Sequence, residues 1–191
     1  PKRCVAVPAG RCEAILHAIG NALARLESLR SGDHVVAERN VLRCDQQLEG
    51  GAADQPLGEQ CHYVGHSNAV KAGLTVAENA NFWTRFLGRG HTGVGAALDV
   101  FGLSGLRDIP AGYLSAGQKR RLGLARLILT ARKVWLLDEP TASLDAAAQD
   151  ALTGAVNAHL ASGGIVVAAT HAPLDFANSR ELHLGPVAQA A

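Results

Sequence analysis

Two acids stand side by side where a short apolar run stops: Val134-Trp135-Leu136-Leu137 is followed by Asp138 and Glu139. Adjacent carboxylates can divide the work of a hydrolysis, one holding a Mg²⁺ ion while the next polarises a water. Upstream, Ser115-Ala116-Gly117-Gln118 offers the complementary chemistry. Ser115 precedes Gln118 by three positions, the reciprocal pattern in which two side chains close the start of a helix. The N–H groups left over at that start carry partial positive charge, and the small Ala116 and Gly117 let an anion approach the main chain. A metal-holding acid, a water-polarising acid and an anion-seating helix tip together describe phosphate chemistry.

The elements that must position these groups follow from the apolar pattern. Residues 134–137 are too short for a helix and apolar on both faces, which predicts a buried parallel strand with the acids at its carboxyl end. Open α/β sheets bind their ligands at that end. Residues 146–160 are alanine-rich, with Leu152, Val156 and Leu160 on one helical face, and Gly163 and Gly164 stop them. The next strand, 165–169, must then run parallel to 134–137 through a right-handed crossover, which brings His171 to the sheet edge of Glu139.

Thr75 and Glu78 make a second capping pattern and start a helix carrying Phe82, Trp83, Phe86 and Leu87. These aromatics read as the core of a small helical subdomain, with a docking surface as the competing reading. Residues 91–101 predict a further helix ended by Gly102, and 104–112 the connection to Ser115. Residues 174–178 predict a short helix, 181–184 a last strand, and 186–191 a polar and small tail.

Taken together, LSAGQ at 114–118, VWLLDEP at 134–140, SLD at 143–145 and His171 resemble the ATP-binding subunits of ABC transporters: signature, Walker B with its glutamate, D-loop and switch histidine. The resemblance implies an α/β fold with a P-loop-NTPase-like ABC ATPase core and a small helical subdomain at 67–112. It implies ATP and Mg²⁺ as cofactors, and two such subunits meeting head to tail. Ser115, Ala116, Gly117 and Gln118 would then face the γ-phosphate held by the second ATP-binding subunit, and Asp145 would bridge the halves. Asp138 would order the Mg²⁺ shell, and Glu139 and His171 would be catalytic. His66 stands where the family has its Q-loop glutamine; imidazole can also accept from a metal-bound water, although it titrates near neutrality.

HYVGH at 62–66, LSAGQKRRLGLARL and GGIVVAATHAPL narrow the resemblance to the haem exporters of bacterial cytochrome c maturation, the CcmA-like family, over about 49–184. That implies a peripheral subunit on the cytoplasmic face of the inner membrane, bound to multi-pass membrane subunits, with no nucleic acid partner. No CxxCH occurs, so nothing in these residues points to haem directly. A different ABC transporter and a soluble non-transport ABC ATPase remain open alternatives.

Composition fits a chain that docks rather than inserts. Its 191 residues can bury a full core, the formal charge of +1 gives no field to recruit nucleic acid or anionic lipid, and the apolar runs are far too short to span a membrane. No secretory h-region follows Lys2 and Arg3, which leads to the expectation of a cytosolic location. Cys4, Cys12, Cys44 and Cys61 lack CxxC spacing and read as free thiols.

Residues 1–48 depart from the family. They contain no aromatic, and no lysine lies between Lys2 and Lys71, so GxxGxGK[ST] does not occur. That loop supplies the backbone cradle and the lysine for the β- and γ-phosphates, so without it ATP binding is expected to be severely weakened and the chain to be a poor or inactive ATPase by itself. The expected division is therefore 1–48 as an atypical segment that leaves the N-terminal portion incomplete, and 49–191 as the remainder of the ATPase domain. Residues 13–29, with Ile15, Ile19, Leu23 and Leu26, predict an amphipathic helix. A displaced reading frame competes with a diverged or truncated start: CTG-GCA-AGA-CTG for Leu23 to Leu26 would read Gly-Lys-Thr in a neighbouring frame. Pro1, not a methionine, fits a fragment, a processed product or a faulty reading.

Overall fold

Helix starts appear where the reciprocal capping patterns place them. The Thr75 hydroxyl accepts from Glu78 N (3.1 Å) while the Glu78 carboxylate accepts from Thr75 N (2.8 Å), opening α1 (Val76–Phe86). Ser115 and Gln118 repeat the arrangement at the start of α3 (Ala116–Leu129), at 3.2 and 2.8 Å. Between them lie α2 (Val94–Val100) and two 3₁₀ turns, Ser104–Leu106 and Ala111–Tyr113. The helix expected over 91–101 is thus shorter, and Gly102 at φ +62° ends it as anticipated.

The computed structural model describes residues 3–7, 61–88, 92–170, 172–177 and 179–183. The strands are β1 (Arg3–Val7), β2 (Cys61–Val64), β3 (Val134–Asp138), β4 (Ile165–Thr170) and β5 (Arg180–His183), and α4 (Ala146–Ala161) connects β3 to β4. They form one sheet in the order β2-β3-β4-β1-β5. The pairs β2·β3 and β3·β4 are parallel, as the apolar pattern requires, with Asp138 opposite Ala169. In contrast β1 runs antiparallel to both β4 and β5, so the sheet is mixed. Nothing in the sequence reading predicted β1; its ladder covers the edge that β4 would otherwise expose.

The helix α3 is the buried axis of the fold. From Leu122 to Leu129 only Ile128 escapes full burial, because α1 and α2 pack on one side and the sheet lies on the other. Two readings are corrected. Over the described residues of the helix expected at 174–178, 174–177 form no helix: Phe176 is buried in the core and Ala177 N donates to Asn157 Oδ1 (2.9 Å) instead of to its own turn. The aromatic stripe is not simply core, for Trp83 packs against it while Phe82 and Phe86 are 36% and 69% exposed. The 13–29 helix, the side chains of Cys4, Cys12 and Cys44, and the 186–191 tail lie outside the described residues; Cys61 is a free thiol.

Candidate functional site

The tip of α3 and the tip of β3 come to the same sheet edge, and α3 is shaped to let loops in on both sides. A Cβ added to Gly117 would sit 2.8 Å from the carbonyl oxygen of Ser143, and one at Gly123 would sit 3.0 Å from that of Asn68. Real side chains do not tolerate the first distance, so the 139–144 turn requires glycine at 117. The turn is itself unusual: Glu139 and Ser143 have φ of +45° and +64°, left-handed conformations uncommon outside glycine. Held strain of this kind clusters at functional sites.

Arg120, one turn into α3 and 3% exposed, fastens these pieces. Its Nη1 donates to Gly65 O (2.6 Å) and Asn68 Oδ1 (3.3 Å); its Nη2 donates to Asp138 O (3.1 Å) and Glu139 O (2.7 Å). Burial pulls its pKa down, and the Asp138 and Glu139 charges oppose that. Two turns on, Arg126 donates to Tyr63 O (2.5 Å) and lies 5.0 Å from the Trp83 ring centre; burial pushes its pKa down to about 10, so it stays charged at neutral pH. Sequence reading passed over both arginines as site residues. Their signal was a cation inside an otherwise apolar helical run.

The expected site residues then fall into place unevenly. Ser115, Ala116 and His66 are exposed, and Gly117, Gln118, Asp138 and Glu139 are half-buried. Among the described residues no acceptor meets the N–H groups of Ala116 and Gly117. Glu139 N donates to Ala169 O (2.8 Å), which ties the acid to β4. Asp145 is exposed and caps α4 by accepting from Ala148 N (2.8 Å), a local duty sufficient to explain it. His171 lies outside the described residues; Thr170, which precedes it, ends β4 one register position beyond the partner of Asp138.

At the other end of α3, His62 is buried with Nε2 3.0 Å from Thr130 O and 2.9 Å from Thr130 Oγ1. Burial lowers its pKa to about 4, so it is neutral in the fold. His159 stacks on Trp135 at 4.0 Å between ring centres and is likewise lowered by burial.

Comparison with known proteins bears on the same residues. The family model described as ABC transporter matches residues 19–142. Over 184 residues the chain is 46% identical to the cytochrome c biogenesis ATP-binding export protein CcmA of Nitrobacter winogradskyi, covering 96% of this chain and 89% of that one. It is 49% identical to the protein of the same name from Rhodopseudomonas palustris over 141 residues, 74% of this chain and 70% of that one. Among solved structures, an ATP-binding subunit of an ABC transporter aligns at a TM-score of 0.54 and 22% identity, over 59% of this chain and 49% of its own. A dimeric bacterial ABC transporter cassette aligns at 0.50 and 24% identity, over 58% and 51%. These structures support the fold, of which the chain spans about half their length.

Proposed function

This chain belongs to the ABC transporter family, among the cytochrome c biogenesis ATP-binding export proteins, and from that premise we propose that it drives haem export with ATP. The observation that carries the reading is the meeting of the α3 tip, open to an anion, with the acids at the end of β3. Proteins of the family bind ATP and hydrolyse it.

Asp138 holds Mg²⁺ in this reading. Its hard oxygens at a half-buried strand end suit an ion that takes one or two carboxylates and fills its shell with water and phosphate oxygens. When bound, Mg²⁺ supplies charge neutralisation at the phosphates. Glu139 accepts the proton of the attacking water, in a position fixed by its left-handed backbone and its bond to Ala169 O. His66 and His171 hold that water or the γ-phosphate in place. Ser115, Ala116, Gly117 and Gln118 face the γ-phosphate seated on the opposite subunit, where N–H groups stabilise developing charge, and Asp145 lies at the subunit junction.

No helix among the described residues is long and apolar enough to cross a membrane. We place the chain peripherally, on the cytoplasmic face of the bacterial inner membrane. There residues 67–112 form the helical subdomain, whose exposed Phe82 and Phe86 meet the multi-pass partners. The signature tip faces the nucleotide of a second ATP-binding subunit, and because this sequence contains no GxxGxGK[ST], that second subunit has to carry the P-loop.

Two measurements test the reading. Equilibrium titration of the isolated chain is expected to show no Mg-dependent ATP binding; micromolar binding would defeat the P-loop argument. Co-expression with the membrane subunits and a second ATP-binding subunit that carries a P-loop is expected to yield a complex that hydrolyses ATP. A chain that instead stays apart and binds nucleic acid in a salt-sensitive way would belong to the non-transport class.

A further inference from the structure

Arg120 spends its buried guanidinium on main-chain and amide oxygens from two segments remote in sequence. One is the loop after β2, through Gly65 O and Asn68 Oδ1; the other is the end of β3, through Asp138 O and Glu139 O. His66 lies between the two loop acceptors. The β3 acceptors belong to the residues whose carboxylates define the site. One Nη2 reaches both because the left-handed turn at Glu139 brings its carbonyl beside that of Asp138. Gly117 and Gly123, three residues to either side, let the backbone of the 139–144 turn and of Asn68 lie directly against α3.

We propose that Arg120 is a positioning residue that ties the loop carrying His66 to the strand tip carrying Asp138 and Glu139, so that displacement of one is felt by the other. A planar fork presents two nitrogens in fixed directions, one to each segment, whereas a lysine ammonium projects its three donors from a single nitrogen and cannot reproduce both positions. Packing alone would make any buried cation equivalent, and Arg126 supplies the contrast. It too is buried and bonded to a main-chain oxygen, but its bond goes to Tyr63 O on β2 alone and ties no second segment.

The test is amide hydrogen exchange on the full chain, read at Glu139, Ala142 and Leu144, whose N–H groups bond to Ala169 O, Glu139 O and Thr141 O. Arg120→Lys is expected to speed exchange at all three by tenfold or more while the middle of α4 is unchanged. Asn68→Ala, which touches only the loop, is expected to speed the same amides about threefold. Arg126→Lys is expected to leave them alone. Silence of these amides in Arg120→Lys, or an equal response in Arg126→Lys, overturns the tie. If Arg120→Lys does not fold, the Asn68→Ala result decides in the same way.

The functional consequence rests on the hydrolytic reading above and has its own readout. In the assembled transporter Arg120→Lys is expected to lower kcat tenfold with KM for ATP unchanged. Faster exchange with unaltered kcat would leave the tie standing and count against the strand tip as the hydrolytic site.

Discussion

Two helix starts in this chain carry the same local device and do different things with it. At α1 and at α3 a hydroxyl and a three-residue neighbour cap each other reciprocally. Yet the next N–H groups of α1 are taken, Val76 N by Ile109 O (3.1 Å) and Ala77 N by Arg107 O (2.9 Å). Those of α3, at Ala116 and Gly117, meet no acceptor among the described residues. The reciprocal partner also differs: α1 has the anionic Glu78, while α3 has the neutral Gln118, which leaves the positive end of the helix uncompensated. A capping pattern announces a helix. Whether that helix can seat an anion depends on what the rest of the chain lays across its tip.

The largest effect should come from closing the open tip. Gly117→Ala forces a Cβ against Ser143 O, and turnover of the assembled transporter is expected to fall about a hundredfold, the scale of losing an oxyanion donor. Turnover near the parent value would mean that this tip is not a working surface.

The closed end of the same helix should answer to pH instead. His62 is neutral in the fold and takes a proton in the unfolded chain, so stability is whole above about 6.5 and is lost as pH falls towards about 4. The loss is ~3 kcal/mol, and His159 adds to it in the same direction. Urea denaturation at both ends of that range, with His62→Gln flattening the difference, measures it.

Making the two tips alike is the next test. Gln118→Glu keeps the reciprocal cap but gives α3 the charge that α1 carries, and is expected to reduce turnover about tenfold with little change in folding stability. An unchanged rate would show that the uncompensated helix charge is irrelevant. The smallest effect is on the caps themselves. Thr75→Ala and Ser115→Ala are each expected to cost about 1 kcal/mol in denaturant unfolding. Only Ser115→Ala should also slow turnover, and equal kinetic effects would erase the distinction between the two helix starts.

Much of the fold was legible because it is written in local pattern. The apolar run at 134–137 could only be a buried strand, the alanine-rich run before Gly163 could only be a helix, and both caps have a fixed spacing. Residues 174–177 do not form the expected helix because the bond from Ala177 N to Asn157 Oδ1 outweighs a weak helical tendency. The exposure of Phe86 was misjudged because a stripe of aromatics looks the same whether the neighbouring element covers it or not.

By itself the sequence determined the family, the acids, the capped serine and the lack of a lysine where a phosphate loop belongs, since each depends on residue type at a spacing. Tertiary structure alone decided the antiparallel seat of β1, the left-handed turns at Glu139 and Ser143, and the reach of Arg120 to both loops. The physical reason is that these depend largely on main-chain carbonyls and N–H groups. Every residue type offers a carbonyl, so no letter in the sequence can reveal which one a distant side chain will find.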